Sequence, residues 1–203
     1  MSEDLATQFG PIDIYLFDQL LRGRLTPPMR VVDAGCGAGR NLHYLLRAGF
    51  RVAAVDAEPE AVVAARALAV RLAPSLPASD FRIEPVEALS FEDASADVVL
   101  SIAVLHFARD DAQFAAMLRA MWRVLRPGGV LFARLASDIG MEARMQPLGG
   151  RRFVMPDGST RYLVNEATLL EWTDVLGGRL LDPLKTTIVQ DQRCMTTWVV
   201  RKS

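Results

Sequence analysis

The sequence predicts an α/β protein whose parallel β-sheet is covered by helices on both faces. Strand-like and helix-like segments alternate between residues 30 and 135, and strands joined by crossover helices usually lie parallel. Residues 96–103 are apolar on both faces, as expected of a central parallel strand. A glycine-rich turn also joins the first strand to the first helix, which is where many α/β folds bind a ligand.

Composition limits the classes of function. At 203 residues, 51% of them hydrophobic, the chain suits one domain with a sizeable core. A net charge of −1 does not favour nucleic-acid binding. The two cysteines form neither a disulfide framework nor a metal cluster. The acidic start at residues 1–4 lacks a signal-peptide pattern, and no apolar run approaches the ~18 residues of a membrane span. We therefore expect a cytoplasmic protein without a membrane partner.

The elements of the first part follow from hydrophobic period and turn residues. Pro59 stands at an early helical position, where its missing N–H costs nothing. The Pro127-Gly128-Gly129 turn closes the helix before the fifth strand. The predicted strands are residues 30–33, 51–56, 80–86, 96–103 and 130–135. The predicted helices are residues 42–50, 57–72 and 111–125.

The regular alternation of predicted strands and helices ends after residue 135. Residues 137–164 are predicted to be a mostly irregular insertion, with a hairpin over residues 151–164 centred on a Pro-Asp-Gly turn. Asn165 has the character of a helix N-cap, and that helix is expected to end at Gly177. Two β-rich segments, residues 179–190 and 194–201, then predict an antiparallel hairpin at the C-terminus.

The most informative segment is residues 30–41, which read R-V-V-D-A-G-C-G-A-G-R-N. Glycines at positions 35, 37 and 39 permit positive φ angles and a close ligand approach. A dinucleotide fold requires G-x-G-x-x-G, but Arg40 stands where its third glycine would be. A phosphate loop requires a Gly-Lys pair, which the chain lacks. The alternative is an ordinary glycine-rich βα turn in some other α/β protein.

The D-x-G-x-G-x-G pattern that begins at Asp33 resembles motif I of class I S-adenosylmethionine-dependent methyltransferases. Later segments resemble the same family in the same order: Asp56, residues 81–91, residues 101–107 and residues 125–131. The resemblance implies a single domain over residues 1–203. It also implies a Rossmann-like doubly wound sheet of about seven strands, mostly parallel, with an antiparallel C-terminal hairpin. Residues 37–50 look most like the small tellurite-resistance and thiopurine-type methyltransferases.

The resemblance implies S-adenosyl-L-methionine as cofactor and assigns different residues to its amino group, ribose and adenine. Asp33 would lie near the amino group, and Asp56 at the end of the second strand would accept bonds from the ribose hydroxyls; a plain helix cap is the alternative for Asp56. Pro85 stands where the family places an acid for adenine, so Glu84, Glu87 or the Val86 backbone would replace it. The predicted cofactor-binding residues are Tyr15, Asp33, Gly35, Cys36, Gly37, Gly39, Arg40, Asn41, Asp56, Ala57, Val86, Glu87, Ser101, Ile102 and Ala103.

The expected reaction is methyl transfer to a small-molecule acceptor, without a metal. His106 is the candidate catalytic residue, as a general base or an orienting group; a buried structural histidine is the alternative. An aromatic N-terminal segment is expected to form a helix over residues 8–23 that closes over the cofactor. The insertion carries four arginines that could receive an anionic or planar molecule, or form a solvated face or an oligomer contact: Arg144, Arg151, Arg152 and Arg161.

Two other functions stay open at this point. One is a catalytically silent module that binds the cofactor and regulates a partner, because fold alone does not decide function. The other is an NAD(P)-dependent oxidoreductase, against which Arg40 and the antiparallel hairpin count. Monomer and homodimer are both compatible with the sequence.

Overall fold

A computed structural model describes residues 4–203 of the chain. Residues 1–3, which begin the acidic segment that lacks a signal-peptide pattern, lie outside the described residues. The helices are α1 (Leu5–Phe9), α2 (Ile14–Leu21), α3 (Leu42–Arg47), α4 (Pro59–Leu72), α5 (Asp111–Val124) and α6 (Glu166–Val175). The strands are β1 (Arg30–Ala34), β2 (Arg51–Asp56), β3 (Phe81–Ile83), β4 (Ala96–Ile102), β5 (Leu125–Ala136), β6 (Gln146–Gly149), β7 (Arg152–Val154), β8 (Thr160–Tyr162), β9 (Gly178–Leu180), β10 (Lys185–Val189) and β11 (Arg193–Lys202).

The main sheet confirms the predicted Rossmann-like topology. Its order is β10-β11-β5-β4-β1-β2-β3, and β9 also pairs with β11. Strands β1 to β5 are parallel, and the three C-terminal strands are antiparallel. Eight strands are present in place of about seven, because the predicted strand at residues 179–190 is broken at Pro183. Its two halves, β9 and β10, pair with successive parts of β11.

Strand β1 lies between β2 and β4, so the chain changes direction across the sheet on the two sides of β1. At such a switch point the connections that follow the two neighbouring strands leave to opposite faces, and a crevice opens at the carboxyl ends of the strands. The glycine-rich turn leaves β1 at this place. The topology therefore puts the turn where a ligand is expected.

Helices cover both faces of the sheet. One apolar cluster packs α5 and α6 against the sheet and includes Phe114 and Trp198. The other includes Leu16, Leu42 and Leu45 from α2 and α3, together with α4. Every residue of β4 is buried, which agrees with its prediction as a central strand.

Several predicted boundaries were wrong because of glycine or proline. The third strand ends at Ile83, not residue 86, because Pro85 leads into a 3₁₀ turn at Val86–Ala88. Helix α3 ends at Arg47 before Gly49, whose φ is +87°. The predicted helix over residues 8–23 is two helices, since Gly10 adopts φ +61° and Pro11 follows it.

The insertion has more regular structure than its sequence predicted. Strands β6, β7 and β8 form a separate three-stranded antiparallel sheet. Its β7–β8 hairpin confirms the turn predicted at Pro156-Asp157-Gly158. The N-cap of α6 is also confirmed, since the Asn165 side chain accepts a hydrogen bond from the Thr168 N–H at 2.9 Å. Among residues 4–203, no helix has both the length and the hydropathy needed to span a membrane.

Candidate active site

A cavity of about 820 Å³ lies at the carboxyl ends of β1, β2 and β4. Most of the residues predicted to bind the cofactor line it, although they come from four separate segments of the chain. Four predicted residues do not line it, namely Tyr15, Asp33, Gly39 and Ser101. Those that do are Gly35, Cys36, Gly37, Arg40, Asn41, Asp56, Ala57, Val86, Glu87, Ile102 and Ala103.

The glycines of the turn have different tasks. A Cβ on Gly37, whose φ is +51°, would meet no protein atom within 4 Å, so this glycine leaves open space at the cavity. A Cβ on Gly35 would lie 2.4 Å from the side chain of Val104, in the loop after β4. A Cβ on Gly39 would lie 3.2 Å from Leu68 of α4. Gly39 thus allows close helix packing, and the open space lies beside Gly37.

Asp56 holds the turn and faces the cavity. One of its carboxylate oxygens accepts the Gly37 N–H at 2.9 Å, and the other accepts the Glu58 N–H at 3.0 Å. The bond to Glu58, at the N-cap of α4, agrees with the cap alternative. Each oxygen keeps a second lone pair, so Asp56 can still accept a hydrogen bond from a ligand hydroxyl in the cavity.

Asp33 lies beneath the turn and is only 1% exposed. Its Oδ2 has no hydrogen-bond partner among the described residues. Burial raises the pKa of Asp33 to about 7, while the positive charge of Arg40 opposes the rise and Asp56 adds to it. Because a buried carboxylate without a partner is costly, this position is suited to a cationic group of a ligand. The hydroxyl of Ser101 is likewise buried and unpaired.

The loop after β3 forms another wall of the cavity through Pro85, Val86 and Glu87. Glu87 accepts a hydrogen bond from the Gln113 side chain at 2.7 Å. Glu84, the other acid considered for adenine, binds the Ser90 backbone N–H at 2.8 Å and does not line the cavity. Glu87 is therefore the acid in position to meet a ligand here.

Sequence reasoning missed the contribution of α5 to this cavity. Gln113 and Met117 both line it, and their i, i+4 spacing puts them on one helix face. Arg109, just before α5, lines it as well. The available signal was that α5 begins near the carboxyl end of β4, where ligands bind in such sheets.

The N-terminal segment is fixed to the site through Asp13. The Asp13 N–H donates to the Asn41 side chain at 2.9 Å, and its carboxylate receives Arg134 at 3.2 Å. Tyr15, predicted as a cofactor contact, lies elsewhere. Its hydroxyl is 2.5 Å from Thr187 Oγ1, and its ring centroid is 5.1 Å from the Arg134 guanidinium carbon.

A second cavity of about 360 Å³ adjoins the first. Arg40, Ala103 and Phe107 line both cavities. Ala103 adopts φ +63° at the end of β4, and such uncommon backbone conformations cluster at functional sites. The other walls come from the ends of β5 and β11 and from the insertion.

His106 lines the second cavity and not the first. Burial, together with the nearby charge of Arg161, lowers the pKa of His106 to about 4. Its Nδ1 accepts the Ala136 N–H at 3.2 Å, so in the neutral ring Nε2 carries the hydrogen. The Nδ1 lone pair that would take a proton is thus engaged in this structure, and the general-base role of His106 stays a prediction.

Comparison with known proteins identifies the family. Residues 32–133, half of the chain, match the methyltransferase domain family. The chain belongs to this family. The class I S-adenosylmethionine-dependent methyltransferase inferred from the glycine turn is thus confirmed, and S-adenosylmethionine is the cofactor.

Two curated relatives of this methyltransferase are ubiquinone biosynthesis O-methyltransferases. That of Methylocella silvestris is 41% identical over 105 residues, which cover 52% of this chain and 39% of the relative. That of Xanthomonas axonopodis pv. citri is 30% identical over 170 residues, 81% of this chain and 69% of the relative. The chain therefore spans only part of the length of these relatives. The likeness to the tellurite-resistance and thiopurine type stays a prediction.

Solved methyltransferase structures share the fold. A SAM-dependent methyltransferase from Methanosarcina mazei has a TM-score of 0.73 at 20% identity, over 90% of this chain and 96% of that chain. The 1,6-didemethyltoxoflavin-N1-methyltransferase of Burkholderia thailandensis has a TM-score of 0.70 at 24% identity, over 98% and 81%. The latter structure holds S-adenosylhomocysteine.

The residues of this methyltransferase fit the cofactor. The unpartnered Asp33 carboxylate matches a ligand that carries an ammonium group. The open space at Gly37 admits a ligand close to the backbone, and the lone pairs left on Asp56 match ribose hydroxyls.

Proposed function

We propose that this methyltransferase transfers the methyl group of S-adenosylmethionine to a small-molecule acceptor held in the second cavity. One observation carries this proposal: the two cavities adjoin each other, and Arg40, Ala103 and Phe107 line both of them. An acceptor beyond these residues would meet a cofactor in the first cavity. The curated relatives are O-methyltransferases, which favours oxygen as the methylated atom.

The roles of the first cavity follow from its chemistry. Asp56 binds the ribose hydroxyls, and Asp33 stabilises the ammonium group from beneath the turn. Val86 and Glu87 hold adenine, and the backbone at Ile102 and Ala103 supports the methionine end. Tyr15 and Gly39 act behind this wall, where they hold the N-terminal segment and α4 in place. Ser101 also lies behind it, with its hydroxyl unpaired.

When bound, the cofactor supplies a sulfonium methyl group for in-line transfer to the acceptor, and the electrons of the broken C–S bond stay on sulfur. The protein contributes position and exclusion of water. Phe107 and Met117 supply apolar surface along the first cavity. Arg40 and Ala103 fix the boundary across which the methyl group passes.

We further propose that the insertion at residues 137–164 is a lid over the acceptor. Met155, Ser159 and Arg161 of this segment line the second cavity, which supports that role. The N-terminal helices form the opposite cover through Asp13. The single domain over residues 1–203, the cytoplasmic location and the choice between monomer and homodimer stay predictions.

A methyl-transfer assay tests the proposal. The full chain is incubated with methyl-labelled S-adenosylmethionine and a panel of aromatic hydroxyls, thiols and amines, and label uptake is measured. We expect turnover of at least one acceptor, with the hydroxyls preferred. Tight binding of S-adenosylhomocysteine by a protein that labels none of these acceptors would favour the silent regulatory module. Binding of NAD without S-adenosylmethionine would favour the oxidoreductase.

A further inference from the structure

We infer that the second cavity selects an acceptor that carries an anionic oxygen, either a carboxylate or an ionised hydroxyl, on a small planar body. This inference rests on the proposed function, which makes the second cavity the acceptor site. Four arginines line this cavity: Arg40, Arg134, Arg161 and Arg193. Among the described lining residues, Asp157 supplies the only carboxylate.

That carboxylate is already engaged within its own turn. Asp157 accepts the Ser159 N–H at 2.9 Å and the Ser159 hydroxyl at 2.5 Å. These bonds, assisted by Arg161 and Arg193, lower the pKa of Asp157. Asp157 therefore stays ionised and serves the β7–β8 turn, and it does not neutralise four guanidinium groups.

Two of these arginines, Arg40 and Arg134, share one further carboxylate, that of Asp13. Arg134 reaches Asp13 Oδ2 at 3.2 Å, and Arg40 reaches the same oxygen at 4.0 Å. The Nε of Arg134 is buried and has no partner among the described residues. One carboxylate thus faces two cations, and a donor beside it is unused.

The other two arginines, Arg161 and Arg193, act on the Asp157 carboxylate without forming an ion pair with it. Arg161 donates to the backbone carbonyl of Thr160 at 2.9 Å, and its guanidinium carbon lies 4.8 Å from the centroid of the Phe107 ring. Neither Arg161 nor Arg193 forms an ion pair with a carboxylate within residues 4–203. The cavity therefore holds more positive than negative charge, even though Arg161 and Arg193 act on Asp157 and Arg40 acts on Asp33. The Nε of Arg134 is an unused donor.

This combination of groups matches an anion attached to a flat apolar body. Guanidinium groups bind carboxylate and phenolate oxygens through short charge-assisted hydrogen bonds. His106 adds a neutral donor, because its Nδ1 is occupied by the Ala136 N–H. Phe107, Met155 and Met195 provide apolar surface for a ring. Nearby positive charge also lowers the pKa of an acceptor hydroxyl, so the hydroxyl loses its proton to water and forms the nucleophile without a protein base.

Binding of unreactive probes gives the direct test. Benzoate and its neutral analogue benzamide are titrated by calorimetry into the full chain saturated with S-adenosylhomocysteine. We expect benzoate to bind at least about 10-fold tighter than benzamide. The Arg161→Gln change should remove most of that preference. The Arg193→Gln change should reduce it by only about 3-fold, since Arg193 is exposed.

The matched control is Arg144→Gln in the same insertion. Arg144 pairs with Asp191 at 2.9 Å and does not line the cavity, so this variant should keep the benzoate preference. Equal binding of benzoate and benzamide, or an unchanged preference in Arg161→Gln, overturns the inference. A folded Arg161→Gln protein is recognised by unchanged affinity for S-adenosylhomocysteine.

A turnover arm separates the two sources of the anion. If a carboxylate is recognised, dihydroxybenzoate should exceed catechol in kcat/KM, and Arg161→Gln should abolish the difference. If an ionised hydroxyl is recognised, the two acceptors should be similar, and Arg161→Gln should move the pH of half-maximal turnover upward. If neither pattern is observed while methyl uptake continues, the arginines play no part in selecting the acceptor, and the inference is overturned although the proposed methyl transfer stands. Arginine-dependent benzoate binding without any methyl uptake would instead reject the proposed function and keep the anion site.

Discussion

At the scale of single residues, the site depends on two acids with opposite environments. Asp33 is buried and lacks a partner for Oδ2, so its pKa rises to about 7. Asp56 lines the cavity and accepts two backbone N–H groups. Two acids that are close in the structure thus offer different chemistry, a counter-charge below the turn and hydrogen-bond acceptors beside it.

The first prediction concerns Asp56. The Asp56→Ala change removes an acceptor for ribose hydroxyls, and a hydrogen bond to a charged group contributes about 1.5–3 kcal/mol. We expect the affinity for S-adenosylhomocysteine, measured by calorimetry, to fall by about 10- to 100-fold. Glu60→Ala, in the first turn of α4 and outside the cavity lining, should leave it unchanged. Equal affinities for the two variants would place the ribose elsewhere.

The second prediction concerns pH and Asp33. The pKa of Asp33 is about 7 in the fold against an ordinary 3.8, so between these values the folded state binds more protons than the unfolded state. The contribution of Asp33 to stability therefore decreases as pH rises from about 4 to 7. An ammonium group stabilises the carboxylate, so S-adenosylhomocysteine should bind more tightly as pH rises through about 7, with release of a proton.

Calorimetry in buffers of different ionisation enthalpy measures that proton directly. Asp33→Asn should bind more weakly and lose both the proton release and the pH dependence. An affinity that stays constant between about pH 5.5 and 8 would show that Asp33 does not face the ammonium group.

The third prediction concerns His106. Loss of a general base lowers kcat by about 10²- to 10⁴-fold, but the Nδ1 of His106 already accepts the Ala136 N–H. We expect His106→Ala to lower kcat by less than about 10-fold, with a pH–rate profile parallel to that of the unchanged enzyme. The free energy of unfolding should fall by about 1–3 kcal/mol, because the Ala136 N–H loses its acceptor. If kcat of the unchanged enzyme rises with pH around about 6.5, and this rise is absent in the variant, His106 acts as a general base after all.

At the scale of elements, the Asp13 side chain links the N-terminal helices to the sheet near the site, while Tyr15 and Asp18 of α2 contact β10. Asp13 caps α2 by accepting the N–H groups of Tyr15 and Leu16, and it also pairs with Arg134 at the end of β5. The Asn41 side chain receives the Asp13 N–H, which ties α2 to the glycine turn. The cover of the site is thus coupled to both cavities.

The fourth prediction follows from this arrangement. The Asp13→Ala change removes an N-cap, which costs about 0.5–2 kcal/mol, and leaves Arg134 without its buried partner. We expect the Tm of unfolding to fall by about 4–8 °C. Asp18→Ala is the matched control, because Asp18 lies on the same helix, forms part-exposed pairs with Arg22 and Lys185, and accepts a hydrogen bond from Gln19. A Tm equal to that of the control would show that Asp13 does not anchor the segment.

At the scale of the whole molecule, the sheet topology assembles the site. Residues from the ends of β1, β2 and β4 meet only because β1 lies between β2 and β4. The antiparallel pair β10–β11 extends the sheet beyond β5 and brings Val189, Arg193 and Met195 to the second cavity. Each cavity is therefore built from segments that lie far apart in the sequence.

The fifth prediction belongs to this scale. A ligand that contacts the ends of several strands binds the folded state alone, and it stabilises that state by about 2.7 kcal/mol at 100 times its Kd. S-adenosylhomocysteine should therefore raise the Tm in a thermal melt by about 5–10 °C. NADH at the same concentration should leave it unchanged. The opposite pattern would contradict the cofactor assignment.

The sequence by itself determined the parallel sheet, the glycine turn and most residues of the first cavity. Hydrophobic period and turn residues are local properties, and the turn at Gly35, Gly37 and Asp56 lies within two neighbouring βα units. The Asn165 cap and the β7–β8 turn were predicted for the same reason. Local chemistry is sufficient wherever a site is formed by consecutive elements.

Only the tertiary structure decided the second cavity and the state of its groups. Arg134, Arg161 and Arg193 belong to different strands, and no local pattern in the sequence brings them together. The pKa of His106 and the occupation of its Nδ1 depend on burial and on Ala136, which is 30 positions away in the chain. Charge, burial and hydrogen bonding between distant segments exist only after the sheet has formed, and these properties support the proposed anionic acceptor and argue against the histidine as base.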